Sequence, residues 1–277
     1  MASPADPRAR PIAVFDSGVG GLTVLHELLV QLPHEDFLYL ADAARLPYGT
    51  RTQAELERFA LQCAEELLAR GAKLLVVACN SAAAAGLPRI AEATGIAVVG
   101  VIAPAARQAE RATSNKRVGL LATPATVTSG AYASAIAQAD PFVELTAVPC
   151  PDLTAIIEGG FPFDHRVVDT VRRYCAPLRE AGVDTVILGC THYPLVRPML
   201  QRTLGRGVEI VTSGAPLARQ VEHVLGARGL GNPAGGEGDY AFLSTGDVDA
   251  FQSLGTRFLQ MPLGPVEHVD LRRRAAA

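Results

Sequence analysis

Short apolar runs alternate along the chain with longer stretches in which apolar residues recur every three or four positions. The runs Ile12–Phe15, Phe37–Ala41, Leu74–Ala78, Ala97–Val101, Arg117–Ala122, Glu144–Val148, Thr185–Leu188, Val208–Val211 and Tyr240–Leu243 predict strands. Between them, Gly21–Gln31, Thr52–Arg70, Ala82–Ala93, Val127–Gln138, Asp164–Ala181 and Ala215–Leu225 read as helices. Strands that are apolar throughout and separated by helices predict parallel sheets covered on both faces. The expected class is α/β, with ligands at the carboxyl ends of the strands.

The pattern repeats weakly at about half the chain length. IAVFDSGVGGLTVL is echoed by RVGLLATPATVTSGAY, and LLVVACNSA by TVILGCTHY, at offsets of about 105 to 111 positions. Two pseudo-symmetric lobes follow, each a parallel sheet flanked by helices, with the active site in the cleft between them. Residues 1–102 with 212–277 are assigned to the N-terminal lobe and residues 103–211 to the second. Pro104 opens the second lobe's first helical region, and the chain returns to the first lobe near Thr212. The glycine-rich stretch Gly231–Gly238 reads as a mobile surface connection within the first lobe.

Composition narrows the function. The 277 residues are 49% hydrophobic and 19% charged, which suits a globular chain of one large domain or two smaller ones. A net charge of −3 and a pI near 6.1 give no general attraction to nucleic acid or acidic membranes. The closing run Arg272-Arg273-Arg274 reads as a solvated tail. MASPADPRARP lacks the apolar core of a signal peptide, and no stretch approaches the roughly 20 apolar residues of a membrane span. Five cysteines with no CxxC spacing indicate neither a disulfide framework nor a zinc ribbon, so reduced cytoplasmic thiols are expected.

Two of those cysteines occupy matching settings. Cys79 and Cys190 each follow a strand and precede small polar residues and a helix-like stretch. A thiol exposed at such a junction is placed to be deprotonated, because helix N-terminal amides favour the anion. Asn80 and Ser81 after one, and Thr191 and His192 after the other, can hold a substrate's ammonium and carboxylate. Cys63 and Cys175 sit inside helical patterns as small hydrophobes, and Cys150 lies between prolines at a strand end. His192 alone could be a core or capping histidine; beside a reactive thiol it can relay a proton. Glu158 ends a short helical turn, where a solvated glutamate is the bland reading.

Phe15-Asp16-Ser17-Gly18-Val19-Gly20-Gly21 leaves backbone amides free for a carboxylate or phosphate. Two competing readings stand beside it: a dinucleotide fingerprint and a tight turn with a helix cap at Ser17. The first lacks its third glycine, replaced by Thr23, and Asp16 would face the pyrophosphate. After the second strand, Pro47 and Gly49 stiffen a loop in which Tyr48 offers its hydroxyl and its N–H. There is no GxSxG elbow and no Walker loop, and His26, His34, His165, His192, His223 and His268 show no metal-ligand spacing. No metal is expected. The chain holds only Lys73 and Lys116 against 23 arginines, and both lysines precede strands, at the sheet ends opposite the cysteines. Neither suits a pyridoxal-phosphate Schiff base, so the thiols are expected to work with no cofactor.

Taken together, FDSGVGGLTVL, PYGTR, ACNS, LATPATVTSGAY and GCTHYPL resemble the glutamate racemases in order and spacing, over about residues 11–225. The resemblance implies a cofactor-independent enzyme that interconverts L- and D-glutamate and supplies D-glutamate for peptidoglycan. It implies that Cys79 serves the D-enantiomer and Cys190 the L-enantiomer, with Asp16 assisting the first thiol and His192 the second. Inversion by proton transfer needs an acid/base group on each face of the stereocentre, so a thiol pair suits it. Substrate contacts carried over are Asp16, Ser17, Tyr48, Gly49, Asn80, Ser81, Thr191 and His192; Thr126 is a candidate for the substrate's carboxylates. Glu158 matches a family carboxylate near the site.

Ser81 stands where threonine is commoner, and Thr212 replaces a usual aspartate. Aspartate racemases typically carry glutamate where this chain has His192. The segment before Ile12 is short, and the extension that carries activator binding in some members is not expected. The expected partner is the small-molecule substrate glutamate, with a homodimer as the assembly and no membrane or nucleic acid. A racemase for aspartate or a hydantoin is the nearer alternative. An amino-acid sensor, or a partner of DNA gyrase as suggested for some members, is the alternative from another class.

Overall fold

The computed structural model describes residues 6–159 and 165–271. The chain begins β1 (Ile12–Asp16), α1 (Leu22–Gln31), β2 (Phe37–Ala41), α2 (Gln53–Ala69), β3 (Leu74–Val77), α3 (Asn80–Thr94) and β4 (Ala97–Gly100). It continues through α4 (Ile102–Ala112), β5 (Arg117–Ala122), α5 (Pro124–Thr128), α6 (Ala131–Ala139), β6 (Glu144–Pro149) and α7 (Leu153–Glu158). Then come α8 (His165–Glu180), β7 (Thr185–Gly189), α9 (Arg197–Leu204) and β8 (Glu209–Val211). The described chain ends with α10 (Gly214–Arg228), β9 (Tyr240–Ser244), α11 (Val248–Leu259) and β10 (Val266–His268).

Two sheets result, with strand orders β10-β9-β2-β1-β3-β4 and β6-β5-β7-β8. Every pairing is parallel. The block β2-β1-β3-β4 has the same order as β6-β5-β7-β8, and the echoed segments place β5 on β1 and β7 on β3. In each sheet the chain first winds to one side of its leading strand and then to the other. That reversal opens a crevice at the carboxyl ends of the two central strands, where α/β folds take ligands. Phe15 is level with Val77, and Ala122 with Gly189. Asp16 and Cys79 therefore emerge side by side from the first sheet, and Thr123 and Cys190 from the second.

The strands form because their side chains have apolar cover on both faces: β1, β2 and β7 are buried at every position. Each fully buried Val, Leu, Ile or Phe contributes roughly 1.5–3 kcal/mol. α2 starts at a capping box in which Thr52 and Glu55 satisfy each other's amides. α8 buries Val167, Val171, Tyr174, Cys175 and Leu178 on one stripe. The helix expected over Val127–Gln138 is instead two helices, because Gly130 takes φ +70° and breaks the run. Position 164, the expected start of the next helix, lies outside the described residues, as do residues 272–274.

Lys73 immediately precedes β3, with its ammonium buried against the Glu35 carboxylate and the Arg8 carbonyl. Lys116 immediately precedes β5 and pairs with Asp140 at 2.8 Å. Both stand at the amino ends of their strands, opposite the thiols. The segment 231–238 is not a free loop. Asn232 donates its N–H to Glu35 Oε1 at 2.8 Å and its amide group to the His34 carbonyl at 2.9 Å, and Gly238 donates to Pro33 O at 3.0 Å.

Candidate active site

Cys79 follows β3 by two residues and occupies the N-cap of α3. Cys190 directly follows β7. Both line one cavity of about 220 Å³. Both are buried, not exposed, at 5% and 7% of their surface. Only Cys79 stands at the start of an α-helix; after Cys190 comes a 3₁₀ turn, Tyr193–Val196. The helix-terminus argument therefore serves the first thiol, and the second relies on side chains.

At the first thiol, burial and then the Asp16 carboxylate push the pKa up, while the Ala82 N–H and the Ser17 hydroxyl act the other way. The net effect holds the Cys79 pKa above the ordinary thiol value. Asp16 is fully buried; its Oδ2 accepts from the Gly18 N–H at 3.1 Å and its Oδ1 from the Thr191 hydroxyl at 3.2 Å. Burial raises the Asp16 carboxyl, and the His192 charge with the Gly18 and Gly21 amides pulls it back. The Asp16–Thr191 bond joins the end of β1 to the loop after β7, and Thr23 adds a hydroxyl donated to Thr191 O at 2.9 Å.

At the second thiol, His192 Nδ1 lies 3.8 Å from Cys190 Sγ and its Nε2 lies 2.8 Å from Glu158 Oε1. Burial alone would lower the imidazole pKa. The hydrogen bonds with Cys190 and Glu158, reinforced by their charges, push it up to about 10. The ring stands edge-on to Phe258, with centroids 5.3 Å apart. Thr154 Oγ1 lies 3.7 Å from Cys190 Sγ.

The same cavity is lined by groups suited to an amino acid. Asn80 accepts the Tyr132 hydroxyl at 2.7 Å on Oδ1, and its buried Nδ2 has no hydrogen-bond partner among the described residues. The Ser81 hydroxyl is 2.9 Å from that of Thr123 and 3.1 Å from that of Thr126. Gly49 approaches Thr123 so closely that a Cβ there would collide with it. Its carbonyl accepts the Ala125 N–H at 2.9 Å, which docks the loop after β2 onto the second sheet's helices.

Every side chain nominated from the sequence lines this cavity except Asp16 and Thr126. Asp16 is fully buried beside the lining, its carboxylate held by the Gly18 N–H and the Thr191 hydroxyl. Thr126 braces Ser81 and Thr123 from beneath, and Thr123 takes the lining position. Tyr48 lines the cavity, but its hydroxyl is given to Asp42, which also pairs with Arg45 Nε at 2.6 Å and accepts from Thr245 at 2.9 Å. Ser17 does not cap α1; Gly21 holds that position. Gly20 packs against His192 and Thr191, and Gly21 against Asp16 and Tyr39, so the glycines serve side-chain contact and not a pyrophosphate. Cys63, Cys150 and Cys175 are buried away from the lining.

The family model described as Asp/Glu/Hydantoin racemase matches residues 22–221. A glutamate racemase of Acidothermus cellulolyticus is 45% identical over 260 residues, 94% of this chain and 98% of its own. The structure of glutamate racemase isoform RacE1 from Bacillus anthracis superposes with a TM-score of 0.91 at 37% identity, covering 95% of this chain and 98% of its own. Glutamate racemase from Francisella tularensis, solved with D-glutamate, gives a TM-score of 0.89 at 34% identity, covering 96% and 99%. The chain belongs to the Asp/Glu/Hydantoin racemase family.

As a member of that family it is an isomerase of the racemase type, built on the expected α/β fold. Among the described residues no helix is long and apolar enough to cross a membrane. Among the lining residues of this racemase that sequence reasoning did not nominate are three with hydroxyls, Thr50, Thr123 and Thr154. Thr123 directly follows β5, the position that singled out Cys190 after β7, and the same rule would have found it. Thr154 lies four residues before Glu158, on the same helical face, and the nomination of Glu158 could have led to it.

Proposed function

We propose that the chain interconverts L-glutamate and D-glutamate by proton transfer at Cα, with Cys79 and Cys190 as the two acid/base groups. The carrying observation is that two thiols from different sheets line one cavity together with an Asn80 amide donor that has no partner among the described residues. A carboxylate suits that donor, and the Ser81–Thr123 hydroxyls suit a second carboxylate. The Francisella relative holds D-glutamate, which supports the choice of substrate.

In the D-to-L direction the Cys79 thiolate takes the Cα proton, and the Cys190 thiol delivers its own to the opposite face. The product leaves with Cys79 protonated and Cys190 as thiolate, and the roles reverse for L-to-D. Asp16 opposes the Cys79 thiolate by charge, so a substrate ammonium close to both would offset the carboxylate and ease deprotonation. His192, paired with Glu158, supports the Cys190 thiolate as imidazolium and can return a proton to it. No cofactor enters the scheme.

Residues 1–102 with 212–277, and 103–211, are the two lobes that enclose the substrate. The enzyme works in the cytoplasm as a homodimer and supplies D-glutamate for peptidoglycan. Circular dichroism tests the activity: with no added cofactor, the signal of L- or D-glutamate should decay to zero, and that of L-aspartate should persist. Decay of aspartate alone would overturn the substrate assignment.

A further inference from the structure

The mechanism leaves the cavity-lining hydroxyl of Thr154 unused. Thr154 stands on α7, one helical turn before Glu158, so the same face carries a hydroxyl to Cys190 and a carboxylate to His192. Leu153 and Ile157 are buried and fix the helix that presents them. The Thr154 hydroxyl is 3.7 Å from Cys190 Sγ and also neighbours the Tyr193 phenol. That phenol gives its own proton to Cys150 O at 3.3 Å, leaving its oxygen free to accept. A hydroxyl between a neutral oxygen and a sulfur that alternates between thiol and thiolate has two acceptors of unequal strength. The charged one wins its proton when it forms.

We propose that Thr154 is a positioning residue for the second thiol, donating to Cys190 Sγ in the thiolate state and turning to the Tyr193 oxygen when the thiol is protonated. The proposal rests on the two-thiol reading above and deepens it. No bond to carbon is made or broken by Thr154; its hydroxyl proton only changes acceptor as the thiol gains or loses its own. The arrangement parallels the Ser17 hydroxyl at Cys79, so each thiol has one hydroxyl at hand.

Because the enantiomers are equal in free energy, kcat/KM must change equally in both directions, and thiol-specific chemistry has to carry the test. The full chain is treated with iodoacetamide at pH 7.5, and alkylation of each cysteine is followed by peptide mass spectrometry. Thr154→Val should slow alkylation of Cys190 by about threefold to tenfold, leave Cys79 unchanged, and be rescued by Thr154→Ser. Thr154→Ala replaces the valine variant should that one not fold. An unchanged Cys190 rate, parallel slowing of Cys79, or a serine variant that behaves like valine overturns the proposal. Alkylation requires no turnover, so failure of the racemase reading shows separately as lack of glutamate racemisation by the wild-type chain.

Discussion

Glu158 Oε1 lies 2.8 Å from His192 Nε2, which turns the other ring nitrogen toward Cys190. Neither residue alone explains the site. The carboxylate orients the imidazole, and the imidazole then faces the thiol, so Glu158 acts on the reaction through His192.

This coupling sets a pH dependence of stability. The His192 pKa is raised from 6.5 to about 10, so the native state holds a proton that the unfolded chain has released between those values. The stabilisation is fully present below about pH 6.5 and is lost as pH rises through about 10. Glu158→Gln should lower the His192 titration midpoint seen by NMR and cost about 1–3 kcal/mol at pH 6, with a smaller deficit near pH 10. Urea unfolding at both pH values checks the difference. An equal loss at both would show that Glu158 serves packing alone.

Asp16 should behave in the opposite functional sense. Burial raises its carboxyl above the ordinary carboxylate range, so ionising it in the native state is disfavoured by the fold. Being raised above its unfolded value, this group costs stability as pH climbs past its native pKa. Asp16→Asn should flatten that part of the stability profile. It should also cut kcat/KM at least tenfold, and by the same factor for both enantiomers.

Gly20 tests the packing behind the second thiol. A Cβ there would meet His192 Nδ1 and Thr191 Oγ1. The ring cannot yield freely, because Phe258 and Glu158 hold it. Gly20→Ala should destabilise by about 1–3 kcal/mol and lower kcat more than tenfold. Wild-type turnover in this variant would mean that the position of His192 does not matter.

Thr123 and Thr126 separate lining from support. Thr123→Val should raise KM for glutamate more than tenfold. Thr126→Val removes only a brace for Ser81 and Thr123 and should raise KM by a few fold. Equal effects in steady-state kinetics would contradict the division.

Much of this site was legible in the sequence because strand ends set it. All nine expected strands are present within a residue or two, since wholly apolar runs reflect burial on both faces. β10 was missed: Val266-Glu267-His268 is a short edge strand with two exposed polar residues and carries no apolar run. Cys79, Asn80, Ser81, Cys190, Thr191 and His192 were found because they follow strands directly. Burial was not legible. The hold of Thr191 on Asp16, the use of the Tyr48 hydroxyl on Asp42 and the support of Cys190 by α7 all depend on contacts between segments distant in the chain.

The central claim is that two opposed thiols share one proton transfer. The direct measurement follows loss of optical activity and solvent deuterium entry at Cα for the wild-type chain, Cys79→Ala and Cys190→Ala, starting from each enantiomer. The wild-type chain should racemise with deuterium incorporation, and each single variant should lose racemisation from both starting enantiomers. Full racemisation by either variant would contradict the two-thiol mechanism.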